Sequence, residues 1–247
     1  MKLVKCHARV LQFQTAPAES WECPEGRTSD DLWDPKRFPP PPAIHELLFD
    51  NGMGHPPPLL PAAILARSAL GISGQNGAGL SRAVVWIDPG GTLYPPGVIA
   101  AGIPVERLYL LRVKPAELIP AAVECMGCEG VAAVISTLPP RVSQVEVRRL
   151  QLAAERGRCV GLLLRAAPRG AIPGIYAAAS RWLISPARGE RSVQRWNVRL
   201  IHGHGGHLGQ SFLLEKRRDS LQANAVHLPP PLAREPTIPA VAKASGA

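Results

Sequence analysis

Residues 50–58, "DNGMGHPPP", set Gly52 and Gly54 ahead of His55, between the apolar run "IHELLF" (44–49) and the helix-like "PAAILARSAL" (61–70). Strand, glycine loop and helix in that order bind phosphate through loop N–H groups and the helix N-terminus. A working triphosphate loop adds a lysine for the β- and γ-phosphates and a hydroxyl for magnesium. Gly52, Gly54 and His55 are therefore the nucleotide-binding candidates. Three features argue against them. Pro56, Pro57 and Pro58 delete three N–H donors, an imidazole is shorter than a lysine and not permanently charged, and Asp50 repels an anion. The loop reads as a degenerate, inactive one, with no cofactor.

Two other constellations have ligand chemistry. Cys125-Met-Gly-Cys128 is a C-x-x-C at a helix end. Zinc needs four ligands, and only the distant Cys6, His7 and Cys159 are on offer, so the pair reads as two small buried side chains. His202, His204 and His207 form H-x-H-x-x-H in "HGHGGHLGQ" (202–210). With no carboxylate to fix the imidazoles, that stretch reads as an exposed hairpin turn and not a metal site. No G-x-S-x-G occurs, and Ser73 has no nearby His/Asp set, so no catalytic residue is assigned.

The elements that must position these residues follow from periodicity. Short apolar runs without alternation, "IHELLF", "AVVWID" (83–88), "RLYLLR" (107–112), "VAAVIS" (131–136) and "CVGLLLR" (159–165), suit strands buried on both faces. Between them lie "PAAILARSAL", "PAELIPAAVECMG" (115–127) and "VSQVEVRRLQLAAERG" (142–157), with helical spacing. Pro61 suits a helix N1 and Gly71 the C′ position. Residues 71–80 read as a Gly-rich linker, and Ser143 with Glu146 as a capping box. After Pro173, "GIYAAASRWLIS" (174–185), "RWNVRLI" (195–201) and "SFLLEK" (211–216) read as strands, the last two antiparallel. Trp196, Val198 and Leu200 point to one side, Asn197, Arg199 and Ile201 to the other. Trp182 and Trp196 stand beside Arg181 and Arg195 but read as core. The fold class is α/β: doubly wound, mainly parallel, with helices on both faces and an antiparallel C-terminal edge hairpin. Its domain spans 43–218, after a poorly ordered arm (1–42) with a short strand near 8–13 and before a Pro/Ala-rich disordered tail (219–247).

Composition narrows the function classes. The net charge of +9 is uneven: residues 141–218 hold 15 Lys/Arg against 4 Asp/Glu, while residues 1–140 hold 11 against 13. A basic half on a neutral body favours an anionic partner, most often nucleic acid. Arg141, Arg148, Arg149, Arg156, Arg158, Arg165 and Arg169 are the DNA-binding candidates, most of them bracketing the 142–157 helix. No apolar run reaches the roughly 18 residues of a membrane span. Five cysteines, an odd number, point to reduced thiols and a cytoplasmic location. Oligomeric state is not legible.

Three stretches taken in order resemble the RecA-like ImuA family: "AVVWIDPGGTLYPPGVIAAGIPVERLYLLR" (83–112), "RRLQLAAERGRCVGLLLR" (148–165) and "YAAASRWLISPARGERSVQRWNVRLIHGHGGHLGQSFLLE" (176–215). These are bacterial accessory proteins of damage-induced mutagenesis, grouped by sequence with RecA and SulA. The resemblance covers about residues 43–216 and implies a RecA-like core. Where RecA ends a strand in Asp-Ala-Glu, its Glu orienting the attacking water, this chain has Asp88-Pro89-Gly90. Ser136 and Thr137 replace a magnesium-holding Asp, and Arg165 replaces a γ-phosphate-sensing Gln. Phosphoryl transfer depends on positioning and charge compensation, so the resemblance implies a protein that is no enzyme. It implies an adaptor joining single-stranded DNA, RecA and the mutagenic polymerase machinery in translesion synthesis. The alternatives are a weak or partner-activated DNA-dependent ATPase and a SulA-like cell-division inhibitor.

Overall fold

The computed structural model describes residues 9–11, 42–50, 54–74, 82–139, 141–167, 178–203, 211–218 and 223–227. Along the chain come β1 (Arg9–Leu11), β2 (Ile44–Phe49), α1 (Leu59–Gly74), β3 (Ala83–Ile87), α2 (Pro95–Ile99), β4 (Leu108–Arg112), α3 (Leu118–Met126) and β5 (Val131–Thr137). Then follow α4 (Gln144–Gly157), β6 (Val160–Ala166), β7 (Ser180–Ala187), β8 (Val193–Gly203), β9 (Ser211–Arg217) and β10 (Ala223–His227). The strands join one mixed sheet in the order β1-β4-β3-β5-β6-β2-β7-β8-β9-β10. From β4 to β7 every pairing is parallel. β1 closes one edge antiparallel, and β8, β9 and β10 extend the other as an antiparallel ribbon. The α/β class with an antiparallel edge hairpin is the observed one.

The two faces are separate apolar layers. Leu47, Val84, Trp86, Ile135, Leu162 and Leu164 pack with α1 and α2 on one side. Ile44, Val85, Ile87, Val134 and Leu163 pack with α3 and α4 on the other. Adjacent residues of one strand go to opposite layers, as the two-residue pleat requires. The crossovers through α1 and α2 run toward the β4 edge on one face. Those through α3 and α4 return on the opposite face, which keeps these four crossovers right-handed. Alanines make the close approaches: Ala62, Ala63, Ala66 and Ala69 of α1 are all buried against the sheet.

Several boundaries differ from the sequence expectation. α1 starts two residues before Pro61, which still lies in the first turn, where a missing N–H costs nothing. It also runs through Gly71 to Gly74, so Gly71 is not its terminator and the linker does not start there. β7 starts at Ser180, and residues 174–177 fall outside the described residues. α2 was not anticipated, because "PPGVI" has too few residues to show a period. β10 lies inside the expected tail and pairs with β9 from Ala223↔Lys216 to His227↔Phe212, a correction made by an available strand edge and not by local pattern.

Where local chemistry dictated the ends, expectation and structure agree. Ser143 caps α4: its Oγ accepts from Glu146 N–H, and Glu146 Oε2 accepts from Ser143 N–H at 2.8 Å. Those bonds from Ser143 hold the Glu146 carboxyl below the usual range. At the opposite end, Arg82 donates to the Gly157 and Arg158 carbonyls at 2.8 Å each and to Glu129 O and Val131 O. A guanidinium on the last carbonyls of a helix answers both their unmet acceptors and the negative end of the helix dipole.

Candidate nucleic-acid interface

The glycine loop, Asp88, Ser136 and Arg165 all come to the edge where the parallel strands end, where open α/β sheets bind ligands. Their local bonding is turned inward. Gly54 has φ +71°, which opens the turn, and Gly52 lies outside the described residues. His55 is half-buried, and its Nδ1 is buried without a hydrogen-bond partner. The three prolines lead straight into α1: Leu59 N–H donates to Pro57 O and Ala62 N–H to Pro58 O. With four prolines among residues 56–61 and these two donors committed, the helix start offers few N–H groups to an anion.

The other positions are equally self-contained. Asp88 Oδ2 accepts from Leu93 N–H at 2.8 Å, folding the side chain onto its own turn, and Gly90 is solvent-exposed. Ser136 is fully buried with no partner for its Oγ, and Thr137 beside it is half-buried.

Arg165 requires a correction. It is 4% exposed, and its guanidinium lies 3.1 Å from Glu46 Oε1. Arg181 Nε holds the other carboxylate oxygen at 2.5 Å. The three sit side by side on β6, β2 and β7, with Glu46 directly opposite Arg181. Burial lifts the Glu46 carboxyl above the usual range, with Arg181 and Arg165 opposing it. Arg165 therefore faces the sheet interior and not a phosphate backbone. One residue earlier on β2, on the opposite face, His45 Nδ1 lies 2.7 Å from Ser180 Oγ, which also accepts the Trp182 indole N–H at 2.8 Å. Trp182 is thus core, and Arg195 pairs with Glu215.

α4 gathers the remaining candidates. Arg141, Arg148, Arg149, Arg156 and Arg158 are all exposed, on the helix or just beyond its ends. Arg169 lies outside the described residues. The buried stripe Val147, Leu150, Ala153 and Ala154 faces the sheet, so 3.6-residue periodicity leaves Arg149 and Arg156 exposed on one flank, with the Arg156 guanidinium beside Gly127 at the end of α3. Arg148 donates to Gln151 Oε1, and Gln151 to Glu155 Oε1, each at 2.9 Å along one flank. Arg158 adopts the left-handed conformation, φ 50°, as the C-cap. Together they form a solvated arginine surface about 20 Å long, at 1.5 Å per residue over 14 residues.

No family model matches the chain. Two curated proteins, both named Protein ImuA and from Caulobacter vibrioides strains NA1000 / CB15N and ATCC 19089 / CIP 103742 / CB 15, are each 30% identical to it over 164 residues. Over that stretch the chain is similar to Protein ImuA. The match covers 60% of this chain and 65% of each relative, short of two thirds of their length.

The sequence reading missed two residues of the α4 surface. Val145 and Leu152 are 66% and 48% exposed, on the outer face among the arginines. Their seven-residue spacing was visible in the sequence, but not that no other element covers them. The C-x-x-C is also corrected: Cys125 is half-buried, but Cys128 is exposed. His204 and His207 lie outside the described residues, while His202 is half-buried on β8. Among the described residues no group of three or more metal-ligating side chains comes together, and no helix is long and apolar enough to cross a membrane.

Cys159 is buried, and that burial pushes its thiol up from 9 to about 12. At pH 8 iodoacetamide should modify Cys128 and spare Cys159, read by peptide mass mapping. Above pH 9 the unfolded chain loses a proton that the folded chain keeps until about pH 12. Stability should therefore fall as pH rises through that window, and Cys159→Ala should flatten the fall.

Proposed function

We propose that this protein belongs with ImuA and is a non-catalytic, RecA-like accessory factor of damage-induced mutagenesis, acting by binding and not by nucleotide hydrolysis. The observation that carries the reading is the exposed arginine surface of α4. It stands on an α/β core whose phosphate-loop position has prolines for donors and no lysine. In this reading the partner of the surface is single-stranded DNA, and RecA and a mutagenic polymerase are the protein partners that the family relation suggests. Arg141, Arg148, Arg149, Arg156 and Arg158 supply charge without base recognition, which suits a sequence-indifferent role.

Anisotropy with a labelled dT20 oligonucleotide tests it. Affinity should fall with salt at a log–log slope of about −0.7 per neutralised phosphate, and Arg148→Ala/Arg149→Ala should reduce that slope by roughly 1.4. Absent or salt-insensitive binding would overturn the reading. Calorimetry with ATP and magnesium, in the presence of DNA, should show no heat of binding. A clear isotherm would favour the partner-activated ATPase instead.

A further inference from the structure

α4 exposes more than charge. Val145, Arg149, Leu152 and Arg156 recur at i, i+4, i+7 and i+11 and fall within one narrow outward arc of the helix. A surface meant only for phosphate gains nothing from two large apolar side chains about 10 Å apart, seven residues at 1.5 Å each. Apolar anchors ringed by arginines fit an acidic peptide that carries apolar side chains of its own.

The chain itself contains such a peptide. Residues 19–34, "ESWECPEGRTSDDLWD", hold six carboxylates against Arg27 alone, with Trp21, Leu32 and Trp33 among them. Residues 141–158 hold five arginines against Glu146 and Glu155. The topology delivers the one to the other. β1 runs antiparallel to β4, so the chain leaves Leu11 at the edge where the parallel strands begin. β2 starts from that same edge, and α4 ends there, two residues before β6. From β1 to β2 is five strand positions, about 24 Å at 4.8 Å each. The connection 12–43 can extend to roughly 100 Å, and residues 35–43 alone reach roughly 30 Å from β2. The reach of the connection is thus about four times the span it must cross.

We propose that the acidic segment 19–34 docks on the outer face of α4, its tryptophans against Val145 and Leu152 and its carboxylates on Arg148, Arg149 and Arg156. Nucleic acid and the segment then compete for the same guanidiniums. The docking itself does not depend on the DNA-binding reading.

Two measurements on the full chain test it. With p-benzoylphenylalanine in place of Trp33, irradiation at submicromolar protein should cross-link within one chain to peptides of 142–156. Cross-links confined to other regions, or formed between two chains, would overturn the proposal. The second is dT20 binding by Val145→Ser/Leu152→Ser. Releasing a segment that occupies the face 80–90% of the time should tighten dT20 binding roughly five- to tenfold, since apparent affinity scales with the competent fraction. Unchanged or weaker binding would refute competition, and weaker binding would make Val145 and Leu152 nucleic-acid contacts instead. If dT20 does not bind at all, the DNA reading fails while the cross-link still decides the docking.

Discussion

Glu46→Ala should cost this protein about 3–5 kcal/mol of stability, the range for removing one partner from a buried ion pair. Glu46 is fully buried, Arg165 is 4% exposed, and the Arg181 side chain is 12% exposed. Without the carboxylate two guanidiniums remain in the sheet interior with their shared counter-charge gone. The loss should appear as a lower urea midpoint with an unchanged m-value, because the same surface is exposed on unfolding. The cost belongs to the stranded charges and not to a strong bond, so the triple change Glu46→Met/Arg165→Met/Arg181→Met should recover most of it. If the triple variant is as unstable as the single, the interpretation fails and the site matters through shape or through further contacts of the arginines. A cycle through Glu46→Gln and Arg165→Met separates these terms, since side chains in contact do not add.

Gly157→Ala is the second large effect, expected at about 3 kcal/mol, or roughly 6–12 °C in Tm for a chain of this size. Gly157 ends α4 where it meets the end of α3, and a β-carbon there would stand 2.0 Å from Met126 O and 2.9 Å from the Gly127 carbonyl carbon. Both neighbours are backbone, so no side chain can rotate away, and the two helix ends must part. The same separation would pull Gly157 O from Arg82, loosening the cap of α4. Gly97→Ala is the control: its β-carbon would meet only Tyr94 Cδ1 at 3.6 Å, an ordinary contact. Equal effects at the two positions would show that helix packing is not the cause.

Gly157 closes "LQLAAERG", one of the stretches that carried the family resemblance. What the sequence could not say is why a glycine stands there, because the contact is with a helix thirty residues earlier in the chain.

That contrast runs through the molecule. Order and type of the parallel strands were legible because a strand buried on both faces must be apolar throughout, and helices of 3.6-residue period must lie between such strands. The capping of α4 was legible because it is local chemistry among four consecutive residues. The lack of N–H donors at Pro56, Pro57 and Pro58 was legible because proline has none in any fold. Arg165 was misread: in sequence it is one more arginine in a basic half, and only the parallel alignment of β6, β2 and β7 sets it beside Glu46. Val145, Leu152 and Cys128 were equally dependent on the fold, since a side chain is exposed only by what fails to cover it. Sequence alone thus determined which residues can form strands, caps and donors, properties that each residue or its near neighbours carry. Tertiary structure alone decided which charges are buried and which face of α4 meets solvent, because both depend on elements brought together from distant parts of the chain.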